Sequence, residues 1–378
     1  MQVGIGFSQD KEAVRAGESA AEQAVKYSGE PNITFLFTTG DYDPAKVLTG
    51  VKNVIGSSKV VGASTYGLIT RSGVLTSGVG VCSLSGPDVR AASYLHNHFP
   101  TASYPHNDKI DVGPLLQQNK VETGTAFVFP NGFGDNISVL LRRLHDLLGP
   151  GFDYVGGGTG DNLSVCQTYQ ITDQGVATDG FALALLSGVD FKFGLAHSWE
   201  PMGEPMLITK AEGKRVYEID GLPAFSRYAA CLGGIKRDDV LHCSLHYPLG
   251  IPCAGGEFLI RDPLRVEDDG SMVFVTEVPS NTVATIMVPG AEGDLTRATR
   301  RAVLNTCAST GQPKFVFIFD CVSRYFLLGK SFEQELIKTI ESIDPVVPVL
   351  GLLSFGEISS ISGTPLFYNK CITVAVGG

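Results

Sequence analysis

The chain has 378 residues, 43% of them hydrophobic, and sets 29 Lys and Arg against 39 Asp and Glu for a net charge of -10 at pH 7. No basic block interrupts that acidic excess, which excludes nucleic acid and anionic membrane surfaces as main partners because both demand clustered cations. No apolar run approaches the ~18 residues of a membrane span, and the opening M-Q-V-G-I-G-F reads as a strand rather than a signal peptide. A cytoplasmic protein is expected, and the length predicts two domains of ~100–200 residues each. Eight cysteines are scattered, several in apolar strands (Cys82, Cys166, Cys371), without the spacing of a disulfide scaffold.

In chain order, a strand over residues 3–7 leads to a helix over about 11–26, whose face of Ala13, Ala16, Ala20, Ala21 and Ala24 is small enough to lie close on a sheet. A strand at 33–37 and a helix at 44–55 then run into V-V-G-A-S-T-Y-G-L-I (60–69), where two glycines stand five apart. That pattern predicts a buried strand breaking into a tight turn, with glycine supplying positive φ or room for a close approach. A hairpin is expected over 73–84 and a loop over 93–108, which holds His96, His98 and His106. The order strand, helix, glycine turn then recurs at 126–129, 136–148 and V-G-G-G-T-G-D-N (155–162), followed by strands at 166–172 and 180–186. From 191 a strand leads to A-H-S-W-E-P-M-G (196–203), further strands, and a helix opened by D-G-L-P-A-F. The Asp220–Gly221 pair predicts a boundary between domains 1–220 and 221–378. Residues 257–266, 271–275 and 282–288 read as an antiparallel meander and 295–308 as a helix. A last unit has a strand at 315–319, a helix after Ser331 with Ser331 and Gln334 spaced as a capping box, and P-V-L-G-L-L-S-F-G-E-I (348–358). The expected fold is α/β: two packed domains built from duplicated strand-helix-strand units with antiparallel extensions.

Two strands joined by a helix are parallel with a right-handed crossover, so their carboxyl ends share one edge, where open α/β sheets bind ligands. That geometry groups Thr38, Thr39 and Asp41 with Ser64, Thr65 and Gly67. It groups Asn131 with Thr159, Asp161 and Asn162, and Cys321, Ser323 and Arg324 with Ser354, Gly356 and Glu357. Capping of helices and turns is the alternative role for any one of these polar residues. Arg324 is the one cation in the three groups. Its planar fork suits a carboxylate, whether of a ligand or of Glu357.

These residues resemble the FIST-domain family over nearly the whole chain, in both its N-terminal and C-terminal regions. The resemblance rests on G-A-S-T-Y-G-L-I at Gly62, G-G-G-T-G-D-N at Gly156, H-S-W-E-P-M-G at His197, E-I-D-G-L-P-A at Glu218, C-V-S-R-Y-F-L-L-G at Cys321, F-G-E-I at Phe355 and F-Y-N-K at Phe367. Leu68 stands where the family usually has an acid, and His197 with Ser198 where it tends to have other residues. The resemblance implies a small-ligand-binding sensory protein in intracellular signal transduction, with an amino acid or other carboxylate as ligand. It implies output through a separate partner such as a histidine kinase or cyclase. Some members bind haem and respond to nitric oxide, which makes a haem-based gas sensor the alternative, with His197, His242 or the His96/His98 pair as axial candidates.

Competing chemistries are weaker. Cys321 follows a strand and precedes a helix, the setting in which a thiol pKa can fall, but no His lies in the matching loops. His242, Cys243, His246 and Cys253 are plausible zinc ligands without a C-x-x-C pair, and neither phosphate-binding glycine motif is present. No catalytic residue and no metal site is predicted, and no cofactor beyond the haem alternative. Trp199, the single tryptophan, is expected at the junction of the two regions.

Overall fold

The computed structural model describes residues 1–97, 110–119, 121–164, 167–253, 257–290, 294–361 and 363–378. Among these, three strand pairs are parallel and each is bridged by helix. Ile33–Thr39 and Lys59–Thr65 flank the helix Pro44–Ile55; Gly124–Pro130 and Phe152–Gly157 flank Ile137–Leu148. Phe315–Cys321 and Val349–Ser354 flank the helices Val322–Leu328 and Lys330–Glu341. The helical faces follow the sequence period: Ile137, Leu140, Leu141, Leu144 and Leu148 are buried on one stripe. The predicted capping box is not formed, because the last helix begins at Lys330, one residue before the Ser331–Gln334 motif, so Ser331 lies within the helix and Gly329 gives it no side-chain cap.

Each parallel pair is the centre of a six-stranded sheet with one layout. Beside the first strand lies an antiparallel strand (Val79–Ser85, Phe181–Ser187 or Ile372–Gly377), and outside it a second one (Gln2–Ser8, Arg90–His96 or Phe191–Ala196). Beside the second strand lies a short hairpin that comes from another unit. Leu68–Thr70 with Gly73–Leu75 leaves the first unit and joins the third; Glu357–Ser359 with Leu366–Tyr368 leaves the third and joins the second; Gln170–Thr172 with Gly175–Ala177 leaves the second and joins the first. The chain thus passes three times through the same strand order, and the hairpins close the sheets in a ring. His96 ends a strand rather than lying in a loop, while His98, His106 and Cys166 fall outside the described residues.

The three sheets face one another across a core of phenylalanines at matching registers. Phe35, Phe127 and Phe317 form a triangle with ring centroids 4.8, 4.7 and 5.9 Å apart, and Phe129 packs against both Phe37 and Phe319 in a second layer. One residue along, Leu36, Val128 and Ile318 pair with Gly62, Gly156 and Gly351. These glycines lie within strands, so the turns begin later than the sequence suggested. A Cβ there would stand 1.8, 2.1 and 2.3 Å from the neighbouring carbonyl oxygen. Backbone approach, not turn geometry, requires glycine at Gly62 and Gly351. Of the two five-spaced pairs only Gly356 has positive φ, 98°.

The second domain is an antiparallel sheet that the chain enters at Trp199 and leaves at Pro289, between strand Phe191–Ala196 and helix Asp294–Thr310. The Asp220–Gly221 boundary expected from the sequence therefore falls inside this sheet, at the tip joining Arg215–Ile219 to Leu222–Pro223. The expected meander is also rearranged. Thr282–Pro289 pairs with Trp199–Glu212 and Leu249–Pro252, whereas Phe258–Arg261 and Met272–Phe274 lie towards opposite edges. Met206, Ile208, Tyr228, Leu249 and Phe274 are among its core residues.

Candidate functional site

The carboxyl ends of the three parallel pairs meet, and three equivalent backbone hydrogen bonds lock them in a ring. Ser64 N–H donates to the Tyr169 carbonyl (2.9 Å), Gly158 N–H to Gly356 (2.8 Å) and Leu353 N–H to Gly67 (2.8 Å). The grouped side chains lie here, and most serve the ring itself. Ser64 Oγ donates to the Gly160 carbonyl (2.7 Å) and Thr65 Oγ1 to that of Leu353 (2.8 Å). Asp161 accepts from Leu163 N–H (2.9 Å) and Ser164 Oγ (2.7 Å) as a turn residue, while Asn162 is exposed. Thr39 bonds Asp41, and Thr168 Oγ1 links Thr159 to Asn131.

The third unit carries the ionisable cluster. Ser354 Oγ donates to Glu357 Oε1 (2.8 Å), Cys371 N–H donates to Glu357 Oε2 (3.2 Å), and the Cys321 thiol lies 3.1 Å from Ser323 Oγ. Burial pushes the Glu357 carboxyl well above its usual range, against the Ser354 hydrogen bond. Burial and Glu357 likewise push the Cys321 thiol up, so burial defeats the helix-terminus effect expected there. The position of Glu357 is held in the second unit by Gln170, whose Nε2 donates to Thr159 Oγ1 (2.8 Å) and whose Oε1 accepts from Gly180 N–H (3.1 Å). Gln170 escaped the sequence reading because the excursion over 160–169 displaces it from the glycine turn.

Arg324 is buried but does not pair with Glu357. Its Nε donates to Asp320 (2.7 Å) and its Nη2 to Glu335 (3.0 Å) and Thr299 (2.9 Å); Nη1 has no hydrogen-bond partner among the described residues. Burial raises the Asp320 carboxyl to about 6 despite Arg324. On Arg324 itself burial acts downward but is outweighed by Asp320 and Glu335, which hold the guanidinium charged. Neither Asp320, Glu335 nor Thr299 was in the sequence grouping. Asp320 sits on the strand Phe315–Cys321, and Thr299 and Glu335 turn inward from the helices Asp294–Thr310 and Lys330–Glu341.

The antiparallel domain roofs this end. Lys214 Nζ donates to the carbonyls of Phe133 (3.2 Å) and Gly134 (2.8 Å) in the loop after the second unit's first strand and lies 3.1 Å from Asp135. Glu277 accepts from Ser138 N–H (3.3 Å) and Oγ (3.0 Å) at the start of helix Ile137–Leu148, which its own Asn136 does not cap. On the third unit, Trp199 packs with Ile260, Met287 and Leu327, and its Nε1 donates to the Lys370 carbonyl (3.2 Å). Trp199 is thus at the junction, as expected. Ser198 Oγ is also buried there without a partner.

Of the histidines expected as axial candidates, His96, His197 and His242 lie within the described residues. His197 Nδ1 accepts from Trp199 N–H (3.3 Å), and its Nε2 sits 3.0 Å from Glu257 without the alignment of a hydrogen bond. Burial, and secondarily Arg324, lowers the His197 pKa against the pull of Glu257. The His96 ring stacks on Phe181, centroids 5.2 Å apart, and His242 and His246 sit one helical turn apart at 6.1 Å. Among the described residues no group of three His, Cys, Asp or Glu is placed to hold a metal, and no helix is long and apolar enough to cross a membrane. A groove of 460 Å³ lies at the opposite end of the first unit, lined by Asn32, Ser58, Lys59 and Arg90.

Comparison with known proteins finds relatives along the whole chain. An uncharacterized protein of Mycobacterium tuberculosis (strain ATCC 25618 / H37Rv) is 24% identical over 381 residues, 96% of each chain. An uncharacterized protein of Mycobacterium bovis is 22% identical over 395 residues, 100% of this chain and 98% of that one. One of Methanocaldococcus jannaschii is 27% identical over 204 residues, 49% of this chain and 38% of that one. The solved structure of PurLQS from Thermotoga maritima matches at 11% identity and a TM-score of 0.21, over 100% of this chain and 72% of that one, which is too distant to bear on the fold. The profile of the FIST N domain matches residues 32–222 and that of the FIST C domain residues 224–360. With most of its length covered by these two domains, which are associated with sensing in signal transduction, the chain belongs to the FIST family.

Proposed function

We propose that the protein senses a small ligand bound between the ring of turns and the antiparallel domain, and that movement of this domain is read by a separate signalling protein such as a histidine kinase or cyclase. The observation that supports this most is the roof. The antiparallel domain closes over the carboxyl ends of parallel strands, and both domain seams and strand ends of this kind favour ligand binding. Ser354, Glu357 and Arg324 are buried beneath it, so a ligand reaching them displaces the roof, and binding is coupled to domain position. An amino acid or other carboxylate would place one oxygen on Arg324 Nη1, the nitrogen that Asp320, Glu335 and Thr299 leave unused, with Ser354 and the Gly356 turn nearby. The reading assigns no catalytic role to any residue and uses no haem. We also read the recurrence of one strand order as internal duplication, supported by the matching Phe and Gly registers.

Calorimetry with the free amino acids and with succinate, on the wild type and Arg324→Lys, tests the ligand. Lysine cannot reproduce the fork, so binding per folded molecule should weaken by roughly 1–3 kcal/mol, the scale of a charge-assisted hydrogen bond. Equal affinities for both proteins would remove Arg324 from the site. The protein from a haem-replete host should be colourless, and a Soret band would favour the gas-sensor alternative.

A further inference from the structure

We propose that Cys321 and Cys371 form a cross-strand thiol pair that a hydroperoxide oxidises to a disulfide. Cys321 N–H donates to the Cys371 carbonyl (3.1 Å), continuing the register in which Asp320 faces Ile372. The two cysteines are therefore directly opposite on neighbouring antiparallel strands, with side chains on one face. Opposite residues on antiparallel strands stand ~4.5–5.5 Å apart at Cα, within the ~4.4–6.8 Å that a disulfide spans. The other two units act as internal comparisons. Thr39 N–H donates to the Gly78 carbonyl and Asn131 N–H to that of Gly180 at the equivalent places, so those units carry no thiol at this pair of positions. Only the unit that holds the antiparallel domain has the pair.

Two polar side chains stand beside the pair. Glu357 accepts from Cys371 N–H, and Ser323 Oγ, on a half-exposed residue, lies 3.1 Å from the Cys321 thiol and marks the approach from solvent. Cys371 is 0% exposed and Cys321 3% exposed. Their thiols are held protonated by burial and by Glu357, so a small strong oxidant is needed and weak ones leave the pair reduced. The Cys321 sulfur attacks one peroxide oxygen, the O–O bond breaks, and sulfenic acid forms as water or alcohol leaves. The Cys371 sulfur then attacks the sulfenic sulfur, the S–S bond forms, the S–O bond breaks and water leaves, so that the hydroperoxide takes both electrons. Lys370, the neighbour of Cys371, has a φ of 56° and gives its carbonyl to Trp199 Nε1. Closing the disulfide therefore pulls on the contact between the third unit and the antiparallel domain, whether or not a ligand binds at the seam.

The test treats the full chain with hydrogen peroxide, alkylates the remaining thiols under denaturing conditions, and maps unreduced peptides by mass spectrometry while following Trp199 emission. The expected result is a cross-link between the peptides of Cys321 and Cys371, a shift in Trp199 emission as it forms, and reversal of both by dithiothreitol. Cys371→Ser should stop the reaction at a Cys321 sulfenic acid that dimedone traps; should that variant not fold, Cys371→Gly restores the residue of the other two units. Wild-type protein in which both thiols remain alkylatable, in which either joins another cysteine, or in which Cys321 passes to sulfinic acid would overturn the pairing. A cross-link with unchanged Trp199 emission would overturn its link to the domain contact.

Discussion

Glu357 and Gln170 occupy one position in two units and bond the same two places: Glu357 accepts from Ser354 Oγ where Gln170 donates to Thr159 Oγ1, and both accept from a backbone N–H, of Cys371 or Gly180. A neutral side chain therefore satisfies this place, and the acid in the third unit carries a burden the amide does not. Its folded-state pKa is raised above the ordinary 4.5, so the folded chain holds the proton more tightly than the unfolded one. The stability this group contributes is fully present below 4.5 and is lost as pH rises through the folded value. Asp320, raised to about 6, acts in the same direction, whereas His197, lowered from 6.5, loses its contribution as pH falls below that value. Glu357→Gln should flatten the decline in unfolding free energy as pH rises above 4.5, measured by urea denaturation; a variant with the wild-type slope would show that Glu357 does not titrate there. Arg324→Lys breaks the fork across Asp320 and Glu335 and should cost roughly 1.5–3 kcal/mol in the same measurement. Unchanged stability would mean that the two acids need only a nearby charge. The sequence brought Cys321, Ser354 and Glu357 into one group, because strand ends and a glycine turn determine that neighbourhood. It did not reveal Asp320 or Glu335 as the partners of Arg324, since which polar residue of the strand Phe315–Cys321 and of the helix Lys330–Glu341 turns inward is decided by tertiary packing.

Periodicity and glycine punctuation made the three strand-helix-strand units legible, including the buried stripe of Ile137–Leu148. What they could not show is where each turn delivers its next strand. Leu68–Thr70 has the pattern of a hairpin continuing its own sheet, yet it pairs with Val349–Ser354 nearly three hundred positions away. Strand partnership is non-local, and a short apolar strand carries no address. The registers nevertheless agree: Ile69, Ile171 and Ile358 each stand opposite the glycine of the receiving strand, Gly351, Gly62 and Gly156. Gly62→Ala and Gly351→Ala should each destabilise by roughly 1–3 kcal/mol, the cost of overpacking, because the added methyl meets fixed backbone. Gly213→Ala, at positive φ in open space, serves as a control for backbone strain alone, expected at about 1 kcal/mol. Equal losses at all three positions in thermal denaturation would refute the close-approach explanation.

Across the whole molecule, three sheets share one phenylalanine core while the antiparallel domain is joined through the third pass of the chain and latched to the second unit by polar contacts. Composition showed a chain with ample core, and the Asp220–Gly221 boundary stands beside the divide between the FIST N and FIST C domains at 222–224, while the antiparallel sheet runs across it from Trp199 to Pro289. The latch rests on Lys214 against the Phe133 and Gly134 carbonyls and Glu277 against Ser138. Hydrogen bonds to charged groups of this kind contribute about 1.5–3 kcal/mol each, enough to hold a domain closed yet small enough for a ligand to outweigh. The most direct test titrates free amino acids and succinate against wild type and the double variant Lys214→Ala/Glu277→Ala, reading calorimetric affinity together with the emission of Trp199, the single tryptophan. A ligand that binds at the seam should shift Trp199 emission saturably, and releasing the latch should change its affinity because the cost of displacing the roof is removed. Calorimetric binding that leaves Trp199 emission unmoved and has the same affinity in both proteins would contradict sensing at the seam.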